Sequence, residues 1–328
     1  MNFENNLDAL CQLLERDARD VDQSGVIPSS HFDELAAFGL YGAFAPRDEG
    51  GIELEATELF DVIERLAMSC LSTTFVLIQH LRLLGSCLDP GSPAFLRNQR
   101  ADIISGTIRG GVALGGLLPG PARLSATATT DGWRLNGEAP WVSGWGMVDS
   151  LFVAARGPEQ TVVSLQLAAH EQHGLEATRQ HLTAINATNS VKLNFTDLEI
   201  PAEQLIGRVS YEPQIESGDR LRLNGSLALG LARRSCALLD DPAMSEELLA
   251  CRYELDHAQP SSMPEARARA SEFAVRAAHA LCVQRGSSSV LSGDVGERST
   301  REASLLLSFG SRPAIRQSLL RRLGATTE

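Results

Sequence analysis

The spacing of apolar residues changes twice along this chain, and the two changes restrict it to a helical block, a β block and a second helical block. Up to about residue 108 the spacing is helical. Leu7, Leu10, Cys11 and Leu14 form one stripe; Phe32, Leu35, Ala36 and Phe38 form another, closed by Gly39 at a C-cap position. Residues 54–89 read as two packed helices and 91–108 as one more, ending near Gly110-Gly111. The period then falls to two. Leu124–Thr129 and Val191–Phe195 alternate, Ser150–Ala155 and Thr161–Gln166 read as further strands, and Pro201 and Gly207 close the β region. From about Ser217 helical spacing returns, over a long helix carrying Leu227, Leu231 and Cys236 and over 264–285, 297–308 and 313–323. The expected division is 1–110, 111–213 and 214–328.

Bulk properties exclude several classes. With 328 residues, 43% of them hydrophobic, the chain can bury a sizeable core in two or three domains. Its 41 acidic against 29 basic residues give a formal charge of -12, which argues against nucleic acid or an anionic membrane as main partner. The six cysteines are scattered without a metal-binding or disulfide spacing. His170, His173 and His181 do not form a zinc set either, so no metal is expected. No apolar run approaches the roughly 18 residues of a bilayer span. Met1–Asn5 lacks the regions of a signal peptide. A soluble, cytoplasmic protein without membrane partners is the expectation.

Residues 132–152 carry the chemistry. Asn136-Gly137 between alternating residues predicts a hairpin turn, whose second strand delivers Trp141, Val142 and Ser143 to one place. An indole, a free backbone and a hydroxyl in a row suit a flat, hydrogen-bonding ring such as a flavin; hairpin packing is the plainer reading.

This segment resembles the flavin-lining run of the acyl-CoA dehydrogenases, and the resemblance covers nearly the whole chain. Gly39–Gly51 resembles a Gly/Pro-rich loop of the family's first domain. Asn189–Ala202 resembles its closing strand, Asn224–Ala237 its long central helix, and Glu297–Ala303 its E-[RK]-x-x-R-D-A motif. The resemblance implies an α+β fold: an N-terminal helical domain, a middle β-barrel domain and a shortened C-terminal helical bundle. It also implies FAD, a thioester substrate on CoA or a carrier protein, and a homodimer or tetramer. By the same resemblance Leu114, Gly115, Gly120, Trp141, Val142, Ser143, Arg252 and Gly286 are the candidate FAD contacts, the glycines of 115–120 by offering backbone N–H groups to the pyrophosphate.

The departures bear on mechanism. The family's catalytic glutamate falls at Phe309, which cannot take a proton. Candidate replacements are His80, on the apolar helix 71–84, and Ser311; Ser308 also flanks the position. A buried packing role is the plainer reading of His80. Glu297 and Arg301 have helix-pairing geometry, and Glu302 beside them reads as structural. A flavin oxidase or monooxygenase of the same fold, or a scaffold subunit without catalysis, stays open beside the dehydrogenase reading.

Overall fold

Among the described residues, 3–212, 218–310 and 312–325, the computed structural model runs from helices to strands and back to helices. The first block holds α1 (Phe3–Ser24), α2 (Ser29–Phe38), α3 (Ala56–Ser69), α4 (Leu71–Leu88), α5 (Ala94–Asn98) and α6 (Arg100–Ser105). The β block holds β1 (Gly110–Ala113), β2 (Leu124–Ala128), β3 (Gly132–Val142), β4 (Ser150–Arg156), β5 (Thr161–Ala168), β6 (Leu175–Arg179), β7 (Val191–Pro201) and β8 (Leu205–Ser210). The last block holds α7 (Gly218–Leu239), α8 (Pro242–His257), α9 (Met263–Arg285), α10 (Val295–Ser308) and α11 (Pro313–Arg322).

Helix ends follow local chemistry. Gly39 stops α2 at φ +90, a left-handed cap without Cβ strain. Glu55 and Glu58 form a reciprocal capping box at the start of α3. The Asp241 carboxylate accepts from the Ala243 and Met244 N–H groups ahead of Pro242. Pro242–His257 thus form a capped helix of 16 residues. The helix expected over 91–108 is two short ones, α5 and α6, which meet at Gln99.

Helix α4 also departs from expectation. Its 18 residues have a mean hydropathy of 1.2, enough by length and composition to cross a membrane, yet 72% of it is buried inside the fold. It packs between α3, α6 and β1, which is why it is apolar almost all round.

The strands form one ladder in the order β6-β7-β3-β2-β4-β5-β8, with β1 parallel beside β4. β2 and β4 meet at one residue pair, Ser125 with Arg156. That narrow joint lets two antiparallel halves bend around a shared core containing Leu124 and Leu135 from one and Leu151 and Leu165 from the other. β6 was not foreseen, and Gly207 lies within β8 instead of ending the β region.

The predicted turn at Asn136-Gly137 is absent. Both residues lie inside β3, where the register against β7 shifts between Leu135 and Gly137. Gly137 has φ +120, and a Cβ there would fall 2.1 Å from the Arg123 carbonyl oxygen. Its glycine serves a β-bulge. The Asn136 side chain clasps the opposite strand, accepting from the Asp197 N–H at 2.9 Å and donating to Asp197 Oδ1 at 3.0 Å. The hairpin turn lies earlier, between β2 and β3, where the Thr129 N–H donates to the Gly132 carbonyl.

Packing joins the blocks. Gly230 lets α7 approach α3, since a Cβ there would sit 2.4 Å from the Glu64 carbonyl oxygen. Arg301 on α10 reaches three elements. It donates to Glu297 one turn back, to Asp22 on α1 at 2.6 and 3.1 Å, and to the Thr183 carbonyl of the β block at 3.2 Å. Glu302 beside it pairs with Arg234 of α7, both side chains being almost fully buried. Breaking such a pair leaves an uncompensated buried charge. Arg234→Met is therefore expected to destabilise the protein by about 3–5 kcal/mol. Arg234→Met with Glu302→Leu should recover much of the loss. Urea unfolding measures both, and a single variant as stable as the wild type would contradict the pairing.

Candidate functional site

The site is built where β3 ends and the chain turns back under α4. A second register shift, between Ala139 and Val142, turns the strand so that successive side chains part company. Val142 points inward, fully buried. Trp141 points out, with 57% of its surface exposed. Its backbone is left-handed, φ +58, a conformation a bulky aromatic residue adopts only when held there. The hold is Gln180, whose side-chain oxygen accepts the Trp141 N–H at 2.7 Å.

Ser143 is buried at the end of a hydroxyl chain. Its Oγ lies 2.7 Å from Ser190 Oγ, which lies 2.9 Å from Thr188 Oγ1, which donates to the Ile185 carbonyl at 2.9 Å. Each hydroxyl has one proton. Thr188 gives its proton to Ile185, so Ser190 must donate to Thr188 and Ser143 to Ser190. What Ser143 retains is acceptor capacity, suited to an N–H. The same loop holds the next residues: the Thr188 carbonyl accepts the Gly144 N–H at 2.7 Å, and Asn189 donates to the Trp145 carbonyl at 2.8 Å.

The loop 114–120 packs against β3 and β4 with its carbonyls fixed. Arg156 donates to the Gly116 carbonyl at 3.0 and 3.2 Å, Arg312 to that of Leu117 at 3.1 Å, and the Tyr211 hydroxyl to that of Leu118 at 3.3 Å. The first two glycines are needed for packing. A Cβ on Gly115 would fall 2.4 Å from the Glu138 carbonyl oxygen, and one on Gly116 2.5 Å from the Ala155 backbone. Close backbone approach is thus one reason for the glycine at 115. Leu114 is half-buried against the sheet. Gly120, at φ +91, has open space around it.

Three further candidates are revised. His80 is buried and both ring nitrogens are engaged: Nδ1 accepts the Gly110 N–H at 3.0 Å, so Nε2 carries the proton and donates to the Tyr41 carbonyl at 3.0 Å. Burial pushes its pKa down to about 4. It is a neutral strut between the first block and β1, with no free nitrogen for a substrate. Arg252 is held by the fully buried carboxylate of Glu64, at 3.1 Å from Nε and closer from Nη2; neutralising that charge is its role here. Gly286 caps α9 at φ +64 on an open surface. Ser311 lies outside the described residues. The Ser308 hydroxyl donates back into its own helix, to Leu305.

Phe309 ends α10 and packs edge-to-face on Phe75 of α4, ring centres 4.7 Å apart. Hydrocarbon from both sides meets at this position. Gln180, Thr188, Ser190, Arg156 and Tyr211 were not foreseen from sequence; each acts across the fold, and no local spacing marks it.

Residues 8–106 match the acyl-CoA dehydrogenase N-terminal domain. Short-chain specific acyl-CoA dehydrogenase from mitochondria of Rattus norvegicus is 25% identical over 235 residues, which is 67% of this chain and 57% of that protein. The match thus spans little more than half the relative's length. In fold, butyryl-CoA dehydrogenase from Megasphaera elsdenii superimposes with a TM-score of 0.84 at 18% identity, covering 98% of this chain and 96% of the other. Glutaryl-CoA dehydrogenase from Mycobacterium smegmatis, solved in complex with FADH2, gives 0.79 at 15% identity, covering 98% and 94%.

The His80 geometry predicts a pH effect. The folded pKa lies below the ordinary 6.5, so this contribution to stability is complete above about pH 6.5 and is lost as pH falls toward about 4. The loss is on the order of 3 kcal/mol. His80→Gln should lack that part of the slope in denaturant titrations between pH 4 and 7. Identical slopes would contradict the buried neutral assignment.

Proposed function

We propose, for what is an acyl-CoA dehydrogenase-like chain, an FAD-dependent oxidoreductase that takes hydride from a biosynthetic intermediate carried as a thioester on CoA or a carrier protein. The observation that carries this reading is Trp141: a large indole, held in a left-handed backbone by Gln180 and left 57% exposed beside the buried Ser143. An exposed, strained aromatic residue is stable only where the surroundings impose it, and such strain concentrates at ligand sites. These residues fit a flavin ring. Trp141 offers a face for stacking, Val142 seals the sheet behind it, and Ser143 accepts an N–H. When bound, FAD supplies a hydride-accepting ring. The relatives support the reading, being acyl-CoA dehydrogenases by name, and one solved structure of this fold holds FADH2.

Phe309 and Phe75 give the site a dry wall and no carboxylate. A proton from the substrate must therefore leave to another residue or to water. The same observation favours a second reading, a flavin oxidase or monooxygenase, which needs no base at this position. Homo-oligomerisation is also part of the proposal: Leu249, Tyr253, Val283, Val290 and Leu291 are exposed apolar residues on the last block.

Anaerobic mixing of the FAD-loaded protein with acyl-CoA thioesters tests the function. Bleaching of the flavin band is the expected result. No bleaching, with rapid oxygen consumption once the flavin is reduced by dithionite, would favour the second reading. Trp141→Ala is expected to weaken FAD binding about tenfold, the scale of one lost aromatic stacking contact. Titration of the apoprotein with FAD measures this, and an unchanged Kd would remove the indole from the site.

A further inference from the structure

Among the described residues, the buried polar side chains of α7 are satisfied inside the fold, with one exception. Arg222 donates to Asp256 of α8 at 2.6 Å and to Ser226 one turn on at 2.8 Å. Arg234 meets Ser299 and Glu302 of α10, and Ser235 donates to the Leu231 carbonyl at 3.0 Å. The exception is Asn224. It is only 8% exposed, yet among the described residues nothing exchanges a hydrogen bond with its carboxamide. The other buried carboxamide, Gln166, donates to Gln99 at 2.9 Å and to Ser150 at 2.7 Å.

Folding does not account for Asn224. Asparagine is a poor residue for a helix interior, and a buried amide without a partner costs stability. A bound group that supplied the missing hydrogen bonds would account for it.

Its position adjoins the candidate site. Two residues beyond Arg222, Asn224 lies about 200° round the helix, away from Asp256. Its amide nitrogen is 3.2 Å from where a Cβ on Gly310 would stand, so any side chain at 310 would crowd it. Gly310 follows Phe309, which packs on Phe75. Val76, next to Phe75, is 3.2 Å from where a Cβ on Gly144 would stand, and Gly144 follows Ser143. The two phenyl rings thus lie between the bare amide and the residues proposed to face the flavin. In that apolar wall the amide is a polar group with nothing to bind.

Building on the proposed function, we infer that Asn224 selects a substrate whose acyl part carries a hydroxyl group. A carboxamide offers N–H donors and an acceptor oxygen. A hydroxyl both donates and accepts, so it can engage either end. A thioester carbonyl or a carboxylate only accepts, and would leave the amide oxygen unpaired. An unsubstituted acyl chain would leave the whole amide bare, and a site built to hydrogen-bond a hydroxyl rejects the analogue that lacks it for this reason.

Calorimetric titration of the protein in the presence of FAD tests this. The probes are butyryl-pantetheine and racemic 2-hydroxybutyryl- and 3-hydroxybutyryl-pantetheine, whose arm is common to CoA and carrier proteins. One hydroxyacyl probe is expected to bind about tenfold more tightly than butyryl-pantetheine, the scale of one hydrogen bond. In Asn224→Leu and Asn224→Ala that ratio should fall to about one. Thermal melts verify that the variants are folded, and Asn224→Leu should melt no lower than the wild type, since it removes the bare amide. No preference in the wild type, a preference that survives both substitutions, or no binding of any probe overturns the inference. Equal weakening of all three probes in the variants also overturns it, because the amide would then hold the thioester they share. Each of these results in a flavin-carrying protein leaves the flavin assignment standing. A protein unable to bind FAD overturns the proposed function, while an Asn224-dependent hydroxyl preference in it would still support the subsite.

Discussion

The three blocks of this protein are fixed to one another through Arg301. Its guanidinium ties α10 to α1 through Asp22 and to the β block through the Thr183 carbonyl, while Glu297 holds it in place one turn away. Donation to Glu297, together with the Asp22 contact, raises its pKa further above the ordinary arginine value. Thr183 begins the loop that orders the candidate site. Ile185 and Asn189 within it are both left-handed, at φ +53 and +44, and Thr188 and Ser190 turn inward toward Ser143. A β-branched residue in that conformation is strained. The loop therefore depends on external ties, and Arg301 is one of them.

From that loop the order passes to the residues of the candidate site. The Thr188 carbonyl fixes Gly144, Asn189 fixes the Trp145 carbonyl, and the hydroxyl chain sets the direction of the Ser143 proton. On the other side His80 links Tyr41 to Gly110, so the first block and β1 keep a fixed separation. Preorganisation of this kind suits a site that must hold a flat ring while hydride moves. The site is thus a product of tertiary contacts, with only Trp141, Val142 and Ser143 supplied as a contiguous run.

This explains what could be read from the sequence. The Leu7–Leu14 stripe, the long helix with Leu227 and Leu231, and the alternation at Val191–Phe195 each reflect one-sided burial, which leaves a local period. Asn136-Gly137 misled because it marks a need for positive φ, and a β-bulge meets that need as well as a turn does. His80 was an ambiguous residue type until its two nitrogens were accounted for. Arg252 pairs with Glu64, 188 positions away in sequence, and no spacing rule reveals such a partner. The apolar period supplied the block order and the resemblance the Phe309 departure, and neither depends on these nonlocal contacts.

The central claim is that the strained indole and the acceptor-only serine are kept for a flavin. The visible absorption spectrum of the purified protein tests it most directly. The account predicts the two bands of an oxidised flavin, with FAD released on denaturation. A colourless protein that also fails to take up added FAD or FADH2 would contradict it.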